Sequence, residues 1–428
     1  MDFPWWVNTL VVIGVIAVAS VILTLFSSLG RRPQVVLATE APPVDSAEFL
    51  LSLAGTINSP IQKGGTIRLL NNGDEVFPAL LRAIAGARHS VNVSVYIWEP
   101  GAVSDMLVDA LVERARAGVQ VRVLLDALGG LRTPRSAIGR LRAAGARVER
   151  FRRARLGKLT RFYKRNHRRA IVIDGRIGFT GGLAFGDKWL GNAQDANHWR
   201  DTMVEVTGCI AANLQAAFAE PWAYTTGELL VGNEYYPVYE QDDESDLRSI
   251  SVISSPSSEE HPLRILFLLS FMAAQRTLYI QSSYFVPDRH TRSVVAERAM
   301  AGVDVRILVP DEHTDAKPIR LAGRSYYEEL LKAGVKIYEY KGTMMHAKHV
   351  VIDGKWSIVG SANMDVRSKE LNLENVLGIL DTEFAQTLER TFHEDAANAV
   401  EFRLLEWRQR SLWERMKERF WVLFAEQY

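Results

Sequence analysis

Hydrophobic and polar residues follow two regular patterns between residues 66 and 400. Short apolar runs such as Val91–Ile97 and Val119–Leu125 predict β-strands. The segments between them carry apolar residues three or four apart, which predicts helices, and Ser104 is the expected N-cap of one. The same order returns around Val303–Val309. This alternation predicts an α/β fold whose sheets are mostly parallel and flanked by helices.

The second half of the chain repeats the first with a period of about 180 residues, which indicates a duplicated domain rather than a solenoid. The segment around residues 237–258 is rich in Asp, Glu and Ser and resembles a linker. We therefore expect two similar lobes, at residues 65–236 and 259–400, joined by a linker at 237–258.

The chain opens with a long apolar segment. Residues 3–30 contain no charged side chain, and a bilayer span needs roughly 20 apolar residues. A pair of tryptophans precedes the segment and a pair of arginines follows it, as at membrane interfaces. A cleaved signal peptide is the alternative, but it typically has a basic start and a shorter apolar core. The pattern favours a single-pass anchor at 1–32 and a tether at 33–64, and the arginine pair predicts that the chain after the anchor faces the cytoplasm.

Two further segments combine basic residues with a possible lipid contact. Residues 401–428 predict an amphipathic helix that alternates aromatic and basic side chains. This helix fits either the membrane interface or a position on the core with its aromatics inward. The tract from Arg147 to Arg169 is strongly basic and indicates contact with anionic head groups, a solvated loop being the alternative.

Composition narrows the function classes. The chain has 428 residues and a net charge of +1, so no overall field favours nucleic acid. Its one cysteine excludes an internal disulfide framework and fits a reducing compartment. No Cys/His cluster has the spacing of a zinc site, and we expect no metal or other cofactor.

The candidate chemistry lies in two related motifs. In the second half, His346 and Lys348 share one face of a predicted strand, and the turn pair Asp353–Gly354 follows. A neutral imidazole beside an ammonium group suits a phosphate, because one can attack phosphorus while the other holds its oxygens. The first half repeats the motif with His167 and Arg169.

This pair of motifs is similar to that of the phospholipase D superfamily, whose members carry two His-x-Lys-x4-Asp motifs that meet in one active site. Further runs resemble its bacterial cardiolipin synthase branch, and together they cover most of residues 65–400: His198–Asp201, Tyr284–Asp288, Gly360–Ser368 and Asn372–Asn375.

The resemblance implies a role for each motif residue. His167 would form a covalent phosphohistidine and His346 would act as acid and base, although the symmetry leaves the reverse assignment open. Glu374 would orient His346, and Asp201, or less favourably Asp195, would orient His167. The catalytic set implied in this way is His167, His346, Lys348, Arg169, Asp174 and Asp353, with Ser361 and Asn363 as phosphate ligands. Asp174 and Asp353 each precede a glycine, which equally suits a plain turn that braces the strands.

Two positions depart from the family pattern. Arg169 stands where lysine is usual, and Ala184 stands where the second half has Asn363. The resemblance still implies a membrane-bound enzyme that transfers a phosphatidyl group between two phosphatidylglycerol molecules, giving cardiolipin and glycerol at the inner membrane. The alternatives are a hydrolase of lipid or nucleic-acid phosphodiesters and a non-catalytic protein that binds anionic lipid; nucleic acid is not an expected partner.

Overall fold

A computed structural model describes residues 34–152, 164–239, 245–256 and 261–425, with isolated residues before 16. It divides the chain into two units, Met1–Thr39 and Glu40–Tyr428. The apolar segment 3–30 lies almost entirely outside the described residues, as does most of the basic tract before His167. Within the described part of the chain, no helix has both the length and the apolar character needed to cross a bilayer.

The first half forms a seven-stranded sheet flanked by helices. In chain order its elements are α1 (Ala47–Ile57), β1 (Gln62–Lys63), β2 (Ile67–Asn71), α2 (Asn72–Ala85), β3 (Ser90–Val95), α3 (Ala102–Arg116), β4 (Gln120–Asp126), α4 (Arg135–Ala143), β5 (Arg147–Phe151), β6 (Ala170–Ile173), β7 (Ile177–Gly181), β8 (Thr202–Thr207) and α5 (Cys209–Thr226). The strand order is β2-β8-β7-β6-β3-β4-β5, and β1 belongs to the other sheet.

The second half forms a nine-stranded sheet. Its elements are β9 (Arg248–Ser254), α6 (Pro262–Met272), β10 (Thr277–Ser282), β11 (Phe285–Val286), α7 (Arg289–Met300), β12 (Asp304–Pro310), α8 (Lys317–Arg324), α9 (Tyr327–Lys332), β13 (Lys336–Tyr340), β14 (Lys348–Ile352), β15 (Trp356–Gly360), β16 (Met364–Asp365), α10 (Val366–Glu370), β17 (Glu374–Leu380), α11 (Thr382–Ala397), β18 (Ala399–Phe402), α12 (Leu404–Arg408) and α13 (Leu412–Val422). The strand order is β1-β9-β17-β15-β14-β10-β12-β13-β18.

Both sheets are mixed, so the expectation of mostly parallel sheets is wrong. Within these two sheets, β3-β4-β5 and β10-β12-β13 pair in parallel through helical crossovers, and β11 and β16 form a separate parallel pair. The other described pairs in the two sheets are antiparallel, and they include the hairpins of β6 with β7 and of β14 with β15. The apolar runs misled because a hairpin strand buried on both faces has the same composition as a buried parallel strand.

Each hairpin turns at an Asp-Gly pair. Asp174 and Gly175 have φ values of 52° and 64°, and Asp353 and Gly354 have 56° and 64°. Two consecutive positive φ angles are what a type I′ hairpin turn requires, and glycine adopts them without steric cost. Each turn therefore fixes the register between the two strands of its hairpin, and one hairpin follows each histidine.

The expected boundaries of the lobes are partly wrong. The linker 237–258 contains β9, which pairs with β17 inside the second sheet. The tether 33–64 contains α1, whose Phe49 is buried against Trp356, and β1, which pairs with β9. The polar composition of residues 237–258 concealed a strand whose side chains are nevertheless mostly buried.

One predicted cap is also wrong. The helix expected to begin at Ser104 starts at Ala102, where Asp187 accepts hydrogen bonds from the amides of Ala102 and Val103. The Ser104 hydroxyl instead accepts a hydrogen bond from the indole of buried Trp98. A distant side chain thus supplies the cap.

The two halves share a hydrophobic core. Val172, Val204 and Leu214 of the first half belong to the same buried cluster as Val351 and Leu377 of the second. Helix α5 packs against β6 and β7, and α11 packs against β14, β15 and β2. The shared core holds the two histidine hairpins in a fixed relation.

The C-terminal region is not the single helix expected at 401–428. Strand β18 adds to the second sheet, and two short helices, α12 and α13, follow it. Trp407 points inward, as the core-packing interpretation requires, but Trp413 and Phe420 are exposed. For α13 that interpretation is only partly correct, because Trp421 packs on a buried cluster whereas Glu418 is the charged residue that faces inward.

Candidate active site

Short backbone bridges between the two halves hold both histidine segments. The amide of His167 donates to the carbonyl of Leu373 (3.0 Å), and the amide of Leu373 donates to that of Arg165 (2.8 Å). In the same way, the amide of His346 donates to the carbonyl of Arg200 (2.6 Å), whose amide donates to Met344. Each histidine is therefore anchored to the other half of the chain.

The bridges pair each imidazole with a carboxylate from the opposite half. His167 Nδ1 lies 2.9 Å from Glu374 Oε1, and His346 Nδ1 lies 2.7 Å from Asp201 Oδ2. The expected pairing, Glu374 with His346 and Asp201 with His167, is wrong. Glu374 directly follows Leu373, and Asp201 directly follows Arg200. Because each of these bridge residues binds the histidine segment of the other half, the carboxylate beside it reaches that histidine. Asp195 instead contacts the partly exposed His198 at 2.8 Å.

A glycine and a serine make the two pairs unequal. A Cβ on Gly182 would lie 2.1 Å from Asp201 Oδ1, so the absence of a side chain there makes room for Asp201 beside His346. At the equivalent position the second half has Ser361, whose hydroxyl donates to Glu374. Asp201 instead accepts hydrogen bonds from the Trp189 indole (2.9 Å) and from the backbone amide of Thr202 (2.8 Å).

A cation lies beside the Nε2 atom of each histidine. Arg169 Nη1 is 2.8 Å from His167 Nε2, and Lys348 Nζ is 3.2 Å from His346 Nε2. Lys348 also donates to the Ser283 hydroxyl at 2.7 Å. The buried Nε–H of Arg169 has no acceptor among the described residues. An oxyanion placed here would satisfy that donor.

Burial and positive charge set the protonation of the imidazoles. Burial, followed by the charges of Arg169 and Lys348, holds the pKa of His167 well below its usual value. Burial and Lys348 lower the pKa of His346 to about 4. Because the Arg169 guanidinium donates to His167 Nε2, the ring proton lies on Nδ1 and faces Glu374. Both rings are thus neutral near pH 7.

The two carboxyl groups shift in opposite directions. Burial raises the pKa of Glu374 to about 8, with Ser361 and Arg169 opposing the shift. Burial also opposes ionisation of Asp201, but its interaction with His346, which includes the hydrogen bond from Nδ1, and the charge of Lys348 keep its pKa below the usual value. Burial lowers the pKa of Lys348 to about 7. The pair His346–Asp201 is therefore better suited to hold an imidazolium than His167–Glu374.

The remaining motif residues have structural contacts. Asp174 accepts hydrogen bonds from three backbone amides of residues 88–90, and Asp353 accepts them from residues 275–277. Both lie at the far ends of the strands that begin near the histidines, so the contacts favour bracing over catalysis. The Ser361 hydroxyl is committed to Glu374, whereas Asn363 keeps a buried Oδ1 without a partner in the described chain.

Aromatic residues that the sequence did not single out as site residues surround the imidazoles. The Tyr96 ring lies 5.0 Å from that of His167, and the rings of Trp199 and Tyr284 lie 5.5 Å and 6.4 Å from that of His346. Tyr96 and Ser283 occupy equivalent positions in the two halves. The residue that follows the cation, Arg169 or Lys348, pairs with a residue of the neighbouring strand, and Tyr96 or Ser283 lies two positions after that residue. This repeated strand register was the signal from which both residues could have been identified. In the described ranges, no three His, Cys, Asp or Glu side chains are arranged to hold a metal ion.

Comparison with known proteins identifies the family. A profile described as "Cardiolipin synthase, PLD-like domain" matches residues 80–222 and 268–396. Over 406 residues the chain is 35% identical to cardiolipin synthase 1 of Bacillus cereus, covering 92% of this chain and 79% of that protein. The cardiolipin synthase of Geobacillus kaustophilus is 35% identical over 373 residues, 86% of this chain and 74% of its own. The chain belongs to the cardiolipin synthase family of phospholipase D-like proteins.

A solved structure supports the fold of this cardiolipin synthase family member. The crystal structure of phosphatidylserine synthase from Haemophilus influenzae aligns with a TM-score of 0.68 and 14% identity, covering 89% of this chain and all of that one. At this identity the likeness concerns the α/β fold alone. The family resemblance read from the two motifs is confirmed.

Both departures from the cardiolipin synthase family pattern are structurally accommodated. Arg169 places a cation beside His167, just as Lys348 does beside His346, so the charge is retained. Its guanidinium can bind a phosphate oxygen with two donors, which an ammonium group does less rigidly. Ala184 is fully buried in the hydrophobic core of the first half, so a methyl group packs there in place of a side-chain amide.

Proposed function

We propose that the chain is a membrane-bound phosphatidyltransferase that makes cardiolipin and glycerol from two molecules of phosphatidylglycerol. The observation that carries this proposal is the arrangement of two neutral imidazoles, each with a carboxyl partner from the opposite half and a cation at Nε2. The arrangement supplies a nucleophile, an acid and positive charge for the phosphoryl oxygens, as exchange of a phosphodiester requires.

In the first step, the lone pair of His167 Nε2 attacks phosphorus and the bond from phosphorus to the glycerol oxygen breaks. His346, protonated when the phosphate anion is bound, donates its Nε2 proton to that oxygen, and glycerol leaves. In the second step, His346 takes the proton from a hydroxyl of the second phosphatidylglycerol. That oxygen attacks phosphorus, the P–N bond breaks, and His167 is released neutral.

The unequal carboxyl groups favour this assignment over its reverse. Ionised Asp201 stabilises an imidazolium on His346, which suits the residue that donates and accepts the proton. The pKa of Glu374 is raised to about 8, so this group compensates a charge on His167 less well and leaves it a neutral nucleophile. Arg169 and Lys348 are proposed to bind the non-bridging oxygens, with Asn363 as a further ligand, while Ser361 holds Glu374.

The membrane part of the proposal rests on the sequence. Residues 1–32 are proposed as a single anchor in the inner membrane, with the two lobes in the cytoplasm, where phosphatidylglycerol of the inner leaflet is the substrate. Green fluorescent protein fused after Tyr428 is expected to fluoresce, since it folds in the cytoplasm. A dark fusion beside an active periplasmic reporter at the same site would contradict this orientation.

The test of function combines lipid analysis with trapping. Cells that express the wild-type chain are expected to accumulate cardiolipin, and His167→Ala and His346→Ala cells are not. Phosphatidic acid in place of cardiolipin would indicate a hydrolase, and unchanged lipids with retained vesicle binding would indicate a lipid-binding protein. With radiolabelled phosphatidylglycerol and an alkaline quench, we expect a base-stable label on His167. A label on His346 would reverse the roles.

A further inference from the structure

Helix α13 buries a glutamate on its inner side and turns a broad apolar face outward. Ser411 caps its start through a reciprocal bond with Glu414, so the helix is well defined from Leu412 onwards. Trp413 is 62% exposed and Phe420 is 53% exposed, whereas Glu418 is only 3% exposed. At 3.6 residues per turn, the exposed apolar residues fall within an arc of about 120°. They are Leu412, Trp413, Met416, Phe420, Leu423 and Phe424.

Ion pairs fix this orientation. Glu418 accepts from Arg324 at 3.2 Å and from Arg410 at 2.5 Å, and Arg324 continues to Glu339 in β13 at 2.8 Å. Rotating the helix to bury its apolar arc would expose Glu418 and leave two partly buried arginines without this carboxylate. Breaking a buried pair in this way is strongly unfavourable. The outward apolar face is therefore built into the fold.

The apolar arc is bordered by positive charge, and packing contacts connect the opposite side of the helix to the catalytic site. On the helical wheel Lys417 and Arg419 flank the arc on opposite sides, and both are exposed. The inner side of α13 packs on α8 and, through Ala425, on Val286, two residues after the Tyr284 that faces His346. An apolar face with cationic borders matches a surface of acyl chains with anionic head groups, and neither border repels it.

We infer that α13 is an interfacial docking helix that inserts its apolar arc into the surface of an anionic phospholipid bilayer and presents the histidine site to the head groups. This docking does not depend on the proposed reaction, since a chain without catalytic activity would dock in the same way. It is also distinct from an anchor at residues 1–32, because it concerns where one helix near the C-terminal end of the described chain lies.

The test uses two methionines with matched exposure. Met416 in the arc is 61% exposed and Met300 at the end of α7 is 68% exposed. In a Cys209→Ser background, Met416→Cys or Met300→Cys is labelled with an environment-sensitive fluorophore, and the full chain is placed in phosphatidylglycerol vesicles. Spin-labelled lipid and aqueous iodide then quench the probe. At 416 we expect a blue-shifted emission, strong lipid quenching and protection from iodide, and at 300 iodide quenching only.

Two further experiments test the contribution of charge and the identity of the surface that covers the arc. Lys417→Gln with Arg419→Gln is expected to lower the docking constant at 416 about 30-fold, from about 1 kcal/mol per basic residue. A similar loss is expected in phosphatidylcholine vesicles. A probe at 416 that iodide quenches as freely as at 300 would overturn the inference. Protection from both quenchers would also overturn it, since protein would then cover the arc. Adding His346→Ala leaves these results unchanged, so failure of the reaction and failure of docking are distinguishable.

Discussion

The opposite pKa shifts of the two carboxyl groups predict that replacing them has unequal effects. Asp201→Asn removes an ionised partner that accepts from His346 (2.7 Å), the Trp189 indole and a backbone amide. A hydrogen bond to a charged group contributes about 2–3 kcal/mol, so loss of imidazolium stabilisation in the transition state lowers kcat roughly 30- to 150-fold. Glu374→Gln replaces a group whose pKa is about 8 by a neutral amide of the same shape. Its cost is expected to stay below about fivefold.

The assay is cardiolipin formation from labelled phosphatidylglycerol in vesicles at pH 7, with thermal unfolding to verify that each variant is folded. Asp195→Asn is the matched control, because it also removes a carboxylate from a histidine, at 2.8 Å, but on the surface. It is expected to retain wild-type kcat. A Glu374→Gln variant that loses as much activity as Asp201→Asn, or more, would refute the proposed division of roles.

Four shorter predictions follow from the same contacts. The pKa of Glu374 is raised from 4.5 to about 8, so the stability contributed by its proton is complete below pH 4.5 and is lost as pH rises to 8; Glu374→Gln should flatten the unfolding free energy across that window, and an unchanged slope would contradict the shift. Asp353→Asn disturbs hydrogen bonds from three backbone amides and should cost about 2–4 kcal/mol of stability in urea unfolding, while kcat of the folded enzyme changes less than threefold. Arg169→Lys should keep activity within about tenfold and Arg169→Ala should lose more than about 100-fold, because the first retains the cation beside His167; equal losses would deny a role for that charge. Activity is expected to survive EDTA, and a loss restored by a divalent ion would count against the two-histidine mechanism.

Local patterns in the sequence predicted many elements because burial and turn chemistry are local properties. The runs around Val91, Val119 and Val303 are strands that start within one residue of the expected positions. The Asp-Gly pairs also mark hairpin turns. The mixed direction of the sheets was not predictable in this way, because β6 and β14 are buried on both faces and also pair with β3 and β10, which lie far away in the chain.

The candidate site was predictable in its residues but not in its pairings. The two motifs identify His167 and His346, but the pseudo-symmetry of the halves gives no preference between a carboxylate on the same half and one on the other. That choice depends on the backbone bridges at Leu373 and Arg200, which form only in the folded chain. The unequal pKa shifts depend on burial and on Gly182 and Ser361, which occupy equivalent places with different side chains.

The exchange of carboxylates between halves has a genetic consequence. A cell that carries one allele with His167→Ala and another with His346→Ala makes every side chain of the site. Each folded chain nevertheless lacks one of the two histidines of its own site. Complementation between the two alleles would require two polypeptides to swap entire lobes, against a shared core that joins Val204 to Leu377. The same dependence means that a nascent chain has no complete site until Glu374 has left the ribosome, so both halves must be synthesised before any lipid chemistry can start.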